Sequence, residues 1–159
     1  MNDSRQTREG IRIHEPADFA GMHAAGRVAA QILDEVGPLV RPGTTTGALD
    51  DFVRARVEEL GAVSATIGYR GYRHASCISV NHVVCHGVPN SRDIIRDGDI
   101  INLDITLEKN GFIADSSKTY IVGNASPAAR RLVQVAQEAM WKGIRQVRPG
   151  AHLGDIGNA

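Results

Sequence analysis

The order of periodic segments along the chain predicts an α+β fold, with antiparallel strands between helices. Two amphipathic helical segments come first, a β-rich stretch continues to about Val122, and a third helical segment follows it. Apolar residues recur every three or four positions in the helical segments and every second position in the middle stretch. Because strands and helices are grouped rather than alternating, we expect an antiparallel sheet.

Composition indicates a globular domain and argues against nucleic-acid or membrane partners. The 159 residues suit one domain. Lys plus Arg and Asp plus Glu number 18 each, so no net charge attracts polyanions. No apolar run approaches the roughly 20 residues of a membrane span. Residues 1–12 lack the apolar core of a secretory signal, so we expect a polar tail there and one domain over 13–159.

Cys77 and Cys85 are too few for a disulfide framework. The seven residues between them match no zinc-ligand spacing. We therefore expect both thiols to be reduced and buried, in a cytoplasmic protein.

Two helices are predicted before the strands. The first covers residues 16–36 and the second residues 47–61. In the second, Asp50 and Asp51 are expected to favour the N-terminal dipole, and Gly61 is expected to end the helix. The apolar stripe of the first helix consists of Phe19, Met22, Ala25, Ala29, Ile32, Leu33 and Val36.

Strands are predicted over residues 62–69 and 76–87 and in a hairpin over 101–120, where β-branched residues accumulate. A third helix follows, with Ser126 as its N-cap and Pro127 in its first turn. Its apolar stripe consists of Leu132, Ala136, Ala139, Met140, Gly143 and Val147.

The sequence contains an internal repeat. VRPGTTTG, which begins at Val40, recurs as VRPGAHLG, which begins at Val147, an offset of 107 residues. Each copy follows a long amphipathic helix and precedes a helix start. The repeat predicts two copies of one helix–helix–sheet unit, the second stopping at its second helix. Since Arg-Pro-Gly often ends helices, chance recurrence is the alternative.

Two aspartates stand in the predicted hairpin, in strands that are otherwise largely apolar. Asn110-Gly111 predicts a type I′ turn between the strands. In the register that this turn sets, Asp115 is opposite Thr106, so Asp104 and Asp115 share one face as diagonal neighbours.

A sheet with one solvent-facing side would explain these aspartates without any function. Two neighbouring carboxylates, however, repel each other unless a cation lies between them. Oxygen ligands suit Mn²⁺, Fe²⁺, Co²⁺ or Zn²⁺ in a hydrolytic site. Asp104 and Asp115 are therefore candidate metal ligands.

ISVNHVVCHGVP and DGDIINLDITLEKNGFIADSSKTYIVG, together with GYRGY and VRPG, resemble the type I methionine aminopeptidases from about Ile13 onward. Prolidases and creatinases share that fold, but they usually carry Asp-x-Gly where this sequence reads LDITL. The resemblance implies the pseudosymmetric pita-bread fold, in agreement with the repeat. It also implies one or two divalent ions and removal of N-terminal methionine from nascent polypeptides, by attack of metal-bound hydroxide on the peptide bond.

By motif match, the resemblance implies a role for each of seven residues. Asp104 and Asp115 would be metal ligands, and His86 would contact the substrate and steady the tetrahedral intermediate. Without the resemblance, His86 would be interpreted as a structural histidine in a Gly-flanked turn. The pocket for the methionine side chain would be lined by Thr66, Tyr69, Tyr72 and Cys77.

The resemblance is incomplete. That family needs two Asp, one His and two Glu as metal ligands, and the last three come from its second half. No segment after Ala125 matches those motifs, and Glu138 and His152 stand in contexts that match no ligand. We therefore expect the N-terminal portion of a methionine aminopeptidase, inactive by itself.

The resemblance implies peptides or nascent chains with N-terminal methionine as substrates, met where they emerge from the ribosome. It implies a monomeric full-length enzyme. Half of a pseudosymmetric fold would expose an apolar seam, so we expect this chain to self-associate or to bind a complementing chain. A non-catalytic binding module of the same fold is the alternative.

Overall fold

The computed structural model describes residues 6–159 and confirms the predicted α+β class. No helix within that range combines the length and apolar character needed to cross a bilayer. The helices are α1 (Pro16–Val36), α2 (Thr46–Glu59), α3 (Pro127–Ile144) and α4 (Leu153–Asn158). The strands are β1 (Val63–Ser64), β2 (Ser76–Val80), β3 (Ile100–Lys109) and β4 (Phe112–Ile121).

The predicted tail, residues 1–12, lies partly outside the described residues. In its described part, Gln6 and Arg12 form an antiparallel bridge. The chain between them therefore makes a small turn ahead of α1, and the division at residue 12 stays a prediction.

Strand β3 is the centre of the sheet. It pairs with β4 along one edge and with β2 and β1 along the other, always antiparallel. Asn110 and Gly111 both have positive φ, 53° and 83°, as the predicted type I′ turn requires. Lys109 pairs with Phe112, which confirms the predicted hairpin register. Alternate β3 side chains are at most 1% exposed and form the apolar face: Ile101, Leu103, Ile105 and Leu107.

Helices α1 and α2 cover this apolar face. Helix α1 packs on β3 and β4, and α2 packs on α1 and β2. Complete burial of each large aliphatic side chain contributes about 1.5–3 kcal/mol relative to exposure. Since both helices lie on the apolar side, neither of them covers the face with Asp104 and Asp115. The buried helical side chains are Ala25, Val28, Ala29, Ile32, Leu33 and Val36 of α1 and Leu49, Val53 and Val57 of α2.

The strands before the hairpin are shorter than predicted. The prediction over 62–69 is wrong beyond β1, because Gly68 turns the chain with a φ of 88°. The prediction over 76–87 is wrong after Val80, because Asn81 has a φ of 52° and reverses the chain. The remaining residues form loops that approach the uncovered face of the sheet.

The prediction that Asp50 and Asp51 favour the dipole of α2 is wrong. Thr45 caps this helix by accepting a hydrogen bond from the Ala48 N–H at 3.1 Å. The helix thus starts early enough that neither aspartate lies in its first turn. Gly61, with a φ of 64°, ends the helix as predicted.

Two side chains predicted to be buried, Cys77 and Cys85, are not buried, and part of the predicted α1 stripe is exposed. Phe19 and Met22 of the α1 stripe are about half exposed. Cys85 is exposed in the loop after β2, and Cys77 is only half-buried because it points to the uncovered face of the sheet. Both thiols are free, as expected.

The internal repeat is visible in the backbone. Thr44 N–H donates to the Arg41 carbonyl at 3.2 Å, and Ala151 N–H donates to the Arg148 carbonyl at 3.1 Å. These bonds are 107 residues apart, as are the starts of α2 and α4 at positions 46 and 153. The same turn therefore joins a long helix to a second helix twice.

Helix α3 repeats the apolar stripe of α1 but exposes it. Ser126 caps α3 by accepting from the Ala129 N–H at 3.2 Å, as predicted. Adding 107 to the buried α1 positions 25, 28, 29 and 33 gives 132, 135, 136 and 140, all apolar. The large side chains of this stripe, between 49% and 69% exposed, are Leu132, Val135, Met140 and the following Val147.

A candidate metal and substrate site on the open face of the sheet

The open face of the sheet forms the floor of a cavity of about 700 Å³. The segment between β1 and β2 and the loop after β2 form its walls. The cavity brings together all seven residues selected from the sequence: Thr66, Tyr69, Tyr72, Cys77, His86, Asp104 and Asp115. Lining residues that sequence reasoning did not select are Ala65, Arg70, Gly71, Thr106 and Ile113.

The two aspartates are diagonal neighbours on the hairpin. Asp104 pairs with Ser117 and Asp115 pairs with Thr106. Burial, followed by the charge of the neighbouring Asp115, raises the pKa of Asp104 above its usual value. The nearby His86 lowers that pKa and so partly opposes the shift. A cation between the carboxylates would relieve the repulsion that contributes to this shift.

The two carboxylates fit part of a metal site. Carboxylate oxygens are good ligands for divalent cations. Within residues 6–159, however, no three His, Cys, Asp or Glu side chains cluster so that they could hold an ion. A catalytic metal needs at least three fixed protein ligands in the sites that are best understood. The described residues therefore supply two candidate ligands of an incomplete set.

His86 is held over the cavity by pairing between its loop and β2. The Ile78 N–H donates to the Gly87 carbonyl at 2.8 Å, and the Gly87 N–H donates to Ser79 Oγ at 3.2 Å. A Cβ on Gly87 would lie 2.1 Å from the Ile78 carbonyl oxygen, so only glycine permits this approach. His86 itself has a left-handed φ of 58°, a conformation that is unfavourable for a residue with a side chain.

The inner wall is made of neutral polar and sulfur-containing side chains. Tyr72 OH donates to the Ser76 carbonyl at 2.8 Å and accepts from Cys77 Sγ at 3.5 Å. Thr66 Oγ1 donates to the His74 carbonyl at 2.7 Å. Burial raises the pKa of both Tyr72 and Cys77, which keeps both side chains uncharged near neutral pH. An uncharged wall of this kind suits a thioether side chain.

Tyr69 and Arg70 lie at the exposed rim of the cavity. The Arg70 guanidinium is 5.5 Å from the centre of the Tyr69 ring, within cation–π range. Arg70 also has a left-handed φ of 48°. The sequence could have suggested a turn at Arg70, because it lies between the turn-forming glycines Gly68 and Gly71.

Asp50 lies behind the inner wall of the cavity. From the sequence it was predicted to favour the N-terminal dipole of α2, and no functional role was predicted for it. Its carboxylate accepts from the Ser76 N–H at 2.9 Å, from Ser76 Oγ at 2.7 Å and from His74 Nδ1 at 2.9 Å. The sequence signal for its burial was its position on the apolar stripe of α2, three residues before Val53 and seven before Val57.

Comparison of the sequence with known proteins identifies relatives along most of the chain. Residues 20–159 match metallopeptidase family M24. The methionine aminopeptidase of Escherichia coli K12 is 44% identical over 153 residues, which cover 94% of this chain and 57% of that protein. Methionine aminopeptidase B of Synechocystis sp. PCC 6803 is 47% identical over 155 residues, with the same coverage.

The fold agrees with that of a solved relative. The crystal structure of methionine aminopeptidase from Rickettsia prowazekii superposes with a TM-score of 0.89 at 44% identity, covering 92% of this chain and 58% of that one. The predicted pita-bread fold is thereby confirmed, and the chain spans less than two thirds of the length of these relatives. Because the family match covers nearly all of the described residues, the chain belongs to metallopeptidase family M24.

Proposed function

We propose that this protein acts in the hydrolytic removal of N-terminal methionine from peptides and nascent chains, as part of a methionine aminopeptidase. The observation that carries the proposal is one cavity that combines two adjacent carboxylates, a histidine and an uncharged wall. Relatives of 44% and 47% identity that bear the name methionine aminopeptidase support it. We propose the cytoplasm as its location, because nascent substrates emerge from ribosomes there.

In this proposal, Asp104 and Asp115 hold one or two divalent ions, with Mn²⁺, Fe²⁺, Co²⁺ and Zn²⁺ as candidates. Such an ion would supply Lewis-acid chemistry at the peptide carbonyl. His86 would form a hydrogen bond with the substrate next to the scissile bond and steady the tetrahedral intermediate. Its position at the cavity, within electrostatic reach of Asp104, supports this role.

The methionine side chain would occupy the wall side of the cavity. Tyr72, Cys77 and Thr66 would enclose it with uncharged atoms, while Tyr69 would contact the peptide at the rim. Charged side chains would be disfavoured there, because the wall gives them no partner to replace lost hydration.

The described residues supply two ligands, so we propose that this chain is inactive without further ligands from elsewhere. The relatives are longer, which supports this view, since 57% of their length is matched. A binding module without catalysis is a second candidate. The exposed apolar stripe of α3 favours it, because such a stripe suits a protein partner.

The proposal is tested by joining residues 1–159 to the unmatched C-terminal part of the Escherichia coli relative. We expect this chimera to release methionine from a Met-Gly peptide with Mn²⁺ or Co²⁺, and a chelator to stop it. Asp104→Asn should abolish release, whereas Ser117→Ala, opposite Asp104 in the hairpin, should retain it. The isolated chain should release none.

A folded chimera that releases no methionine would overturn the aminopeptidase proposal and favour the binding module. Chelator-sensitive release by the isolated chain would support the activity but contradict our account of missing ligands. Release by the Asp104→Asn chimera at the parental rate would remove Asp104 from the metal site.

A further inference from the structure

Asp50 is a buried charged residue to which the proposed reaction gives no role. It is 2% exposed and stands on α2 between the fully buried Leu49 and Val53. Burying a carboxylate is costly unless hydrogen bonds replace its lost hydration. The hydrogen-bond partners of Asp50 therefore identify the segment of the chain that its carboxylate stabilises.

All its partners belong to one segment, the chain just before and at the start of β2. Oδ1 accepts both the backbone N–H and the hydroxyl of Ser76, at 2.9 and 2.7 Å. Oδ2 accepts from His74 Nδ1 at 2.9 Å. One turn later on α2, Arg54 donates to the Arg73 carbonyl at 2.7 Å. Helix α2 thus clamps this segment at three positions.

The clamped segment in turn holds the inner wall of the cavity. The His74 carbonyl accepts from Thr66, and the Ser76 carbonyl accepts from Tyr72. The His74 and Tyr72 rings meet edge to face, with centroids 5.6 Å apart. Cys77 follows Ser76 directly and donates to Tyr72. The Asp50 carboxylate therefore holds the segment to which the three wall residues Thr66, Tyr72 and Cys77 are attached.

We propose that Asp50 is a positioning residue, which sets the wall of the side-chain pocket through His74 and Ser76. Asp50 does not line the cavity, so it acts without touching the substrate. Hydrogen bonds to a carboxylate are about twice as strong as neutral ones, which suits a rigid support. The assignment of the pocket to methionine rests on the proposed function, whereas the support of the wall does not.

The test uses the Cys77 thiol as a reporter of the wall and the exposed Cys85 as an internal reference. Alkylation of each thiol by N-ethylmaleimide is followed by mass spectrometry under native conditions. We expect Asp50→Ala to raise the Cys77 rate at least about fivefold, because hydrogen bonds to a charged group are lost. Asp50→Asn, which keeps one acceptor oxygen for Ser76, should give an intermediate rate, and the Cys85 rate should not change.

Two controls separate positioning from general destabilisation. Val53→Ala removes buried volume from the same helix without removing a hydrogen bond to the segment, and Asp51→Asn removes an exposed charge next to Asp50. Both should leave the Cys77 rate within about twofold of wild type. A wild-type Cys77 rate in Asp50→Ala, or an equal increase in Val53→Ala at matched thermal stability, would overturn the proposal.

A final arm distinguishes this inference from the proposed function. L-methioninamide, which carries the side chain and free amine of N-terminal methionine, should slow Cys77 alkylation in wild type and slow it less in Asp50→Asn. If it gives no protection in wild type while the Asp50 effect holds, the methionine assignment of the pocket fails and the positioning role stands. Equal protection in wild type and Asp50→Asn would contradict a positioning role toward the ligand.

Discussion

Asp104 and Asp115 lie on the same face of the β3–β4 hairpin, as diagonal neighbours: Asp104 is opposite Ser117, and Asp115 is opposite Thr106. Side chains alternate between faces along a strand, so slipping β4 by one residue would move Asp115 to the apolar face. The two-residue turn at Asn110 and Gly111 therefore determines whether the two carboxylates can share an ion.

Gly111→Ala should lower the free energy of unfolding by about 1–2 kcal/mol, because position 111 requires a φ of 83°. Chemical denaturation followed by circular dichroism would measure the change. Gly26→Ala is the matched control, since it adds the same methyl group to helix α1 in open space. It should raise stability by up to about 1 kcal/mol. Equal effects at both sites would contradict the turn assignment.

Gly87→Ala should detach the His86 loop from β2. The added Cβ would meet the Ile78 carbonyl oxygen at 2.1 Å, so the hydrogen bond from the Ile78 N–H to Gly87 should break. Amide hydrogen exchange at Ile78 should accelerate, whereas exchange at Leu103 in the sheet centre should not. Unchanged protection of Ile78 would show that the loop is not held by this approach.

The Glu35–Arg56 pair predicts acid sensitivity in the α1–α2 contact. Hydrogen bonds from Arg56 and then Gln31 lower the pKa of Glu35 below its usual 4.5. A lowered folded-state pKa gives stability that is present above the unfolded value and is lost as pH falls through the folded one. Glu35→Gln should therefore flatten the fall in unfolding free energy below about pH 4.5. Identical pH profiles of the two proteins would contradict this.

The α3 stripe predicts self-association of this chain. Its side chains repeat the positions that α1 buries against the sheet, but they remain exposed in residues 6–159. Light scattering should show dimers or larger species, and Met140→Glu should shift them toward the 17.1 kDa monomer. Gln134→Glu makes an equal charge change elsewhere on α3 and should not shift these species toward the monomer. A monodisperse wild-type monomer would contradict the prediction.

Local sequence signals predicted the hairpin well, and tertiary contacts explain where prediction failed. Asn110-Gly111 specifies its own turn, so the register followed from neighbours in sequence. The strand expected through residue 87 failed because Gly87 folds back to pair with Ile78, a contact that local periodicity cannot reveal. The choice of His86 came from family resemblance, since its residue type alone favoured a structural role.

Asp50 shows that sequence-based prediction has the same limit in the candidate functional site, where tertiary contacts are also hidden from local patterns. Helical periodicity placed it on α2 but could not show that the carboxylate faces His74 and Ser76, which are more than 20 residues away. Its position on an apolar stripe was a usable signal of a buried charge. By contrast, the position of Asp104 and Asp115 on one face could be predicted, because hairpin pairing is local.

The most direct test of the central claim, that the hairpin carboxylates bind a divalent ion, is a Mn²⁺ titration of the isotope-labelled chain followed by NMR. Paramagnetic broadening should begin at Asp104, Asp115 and His86, and Asp104→Asn should remove it while Ser117→Ala keeps it. Broadening that starts elsewhere in the chain, or that persists unchanged in Asp104→Asn, would contradict the assignment of these aspartates as metal ligands.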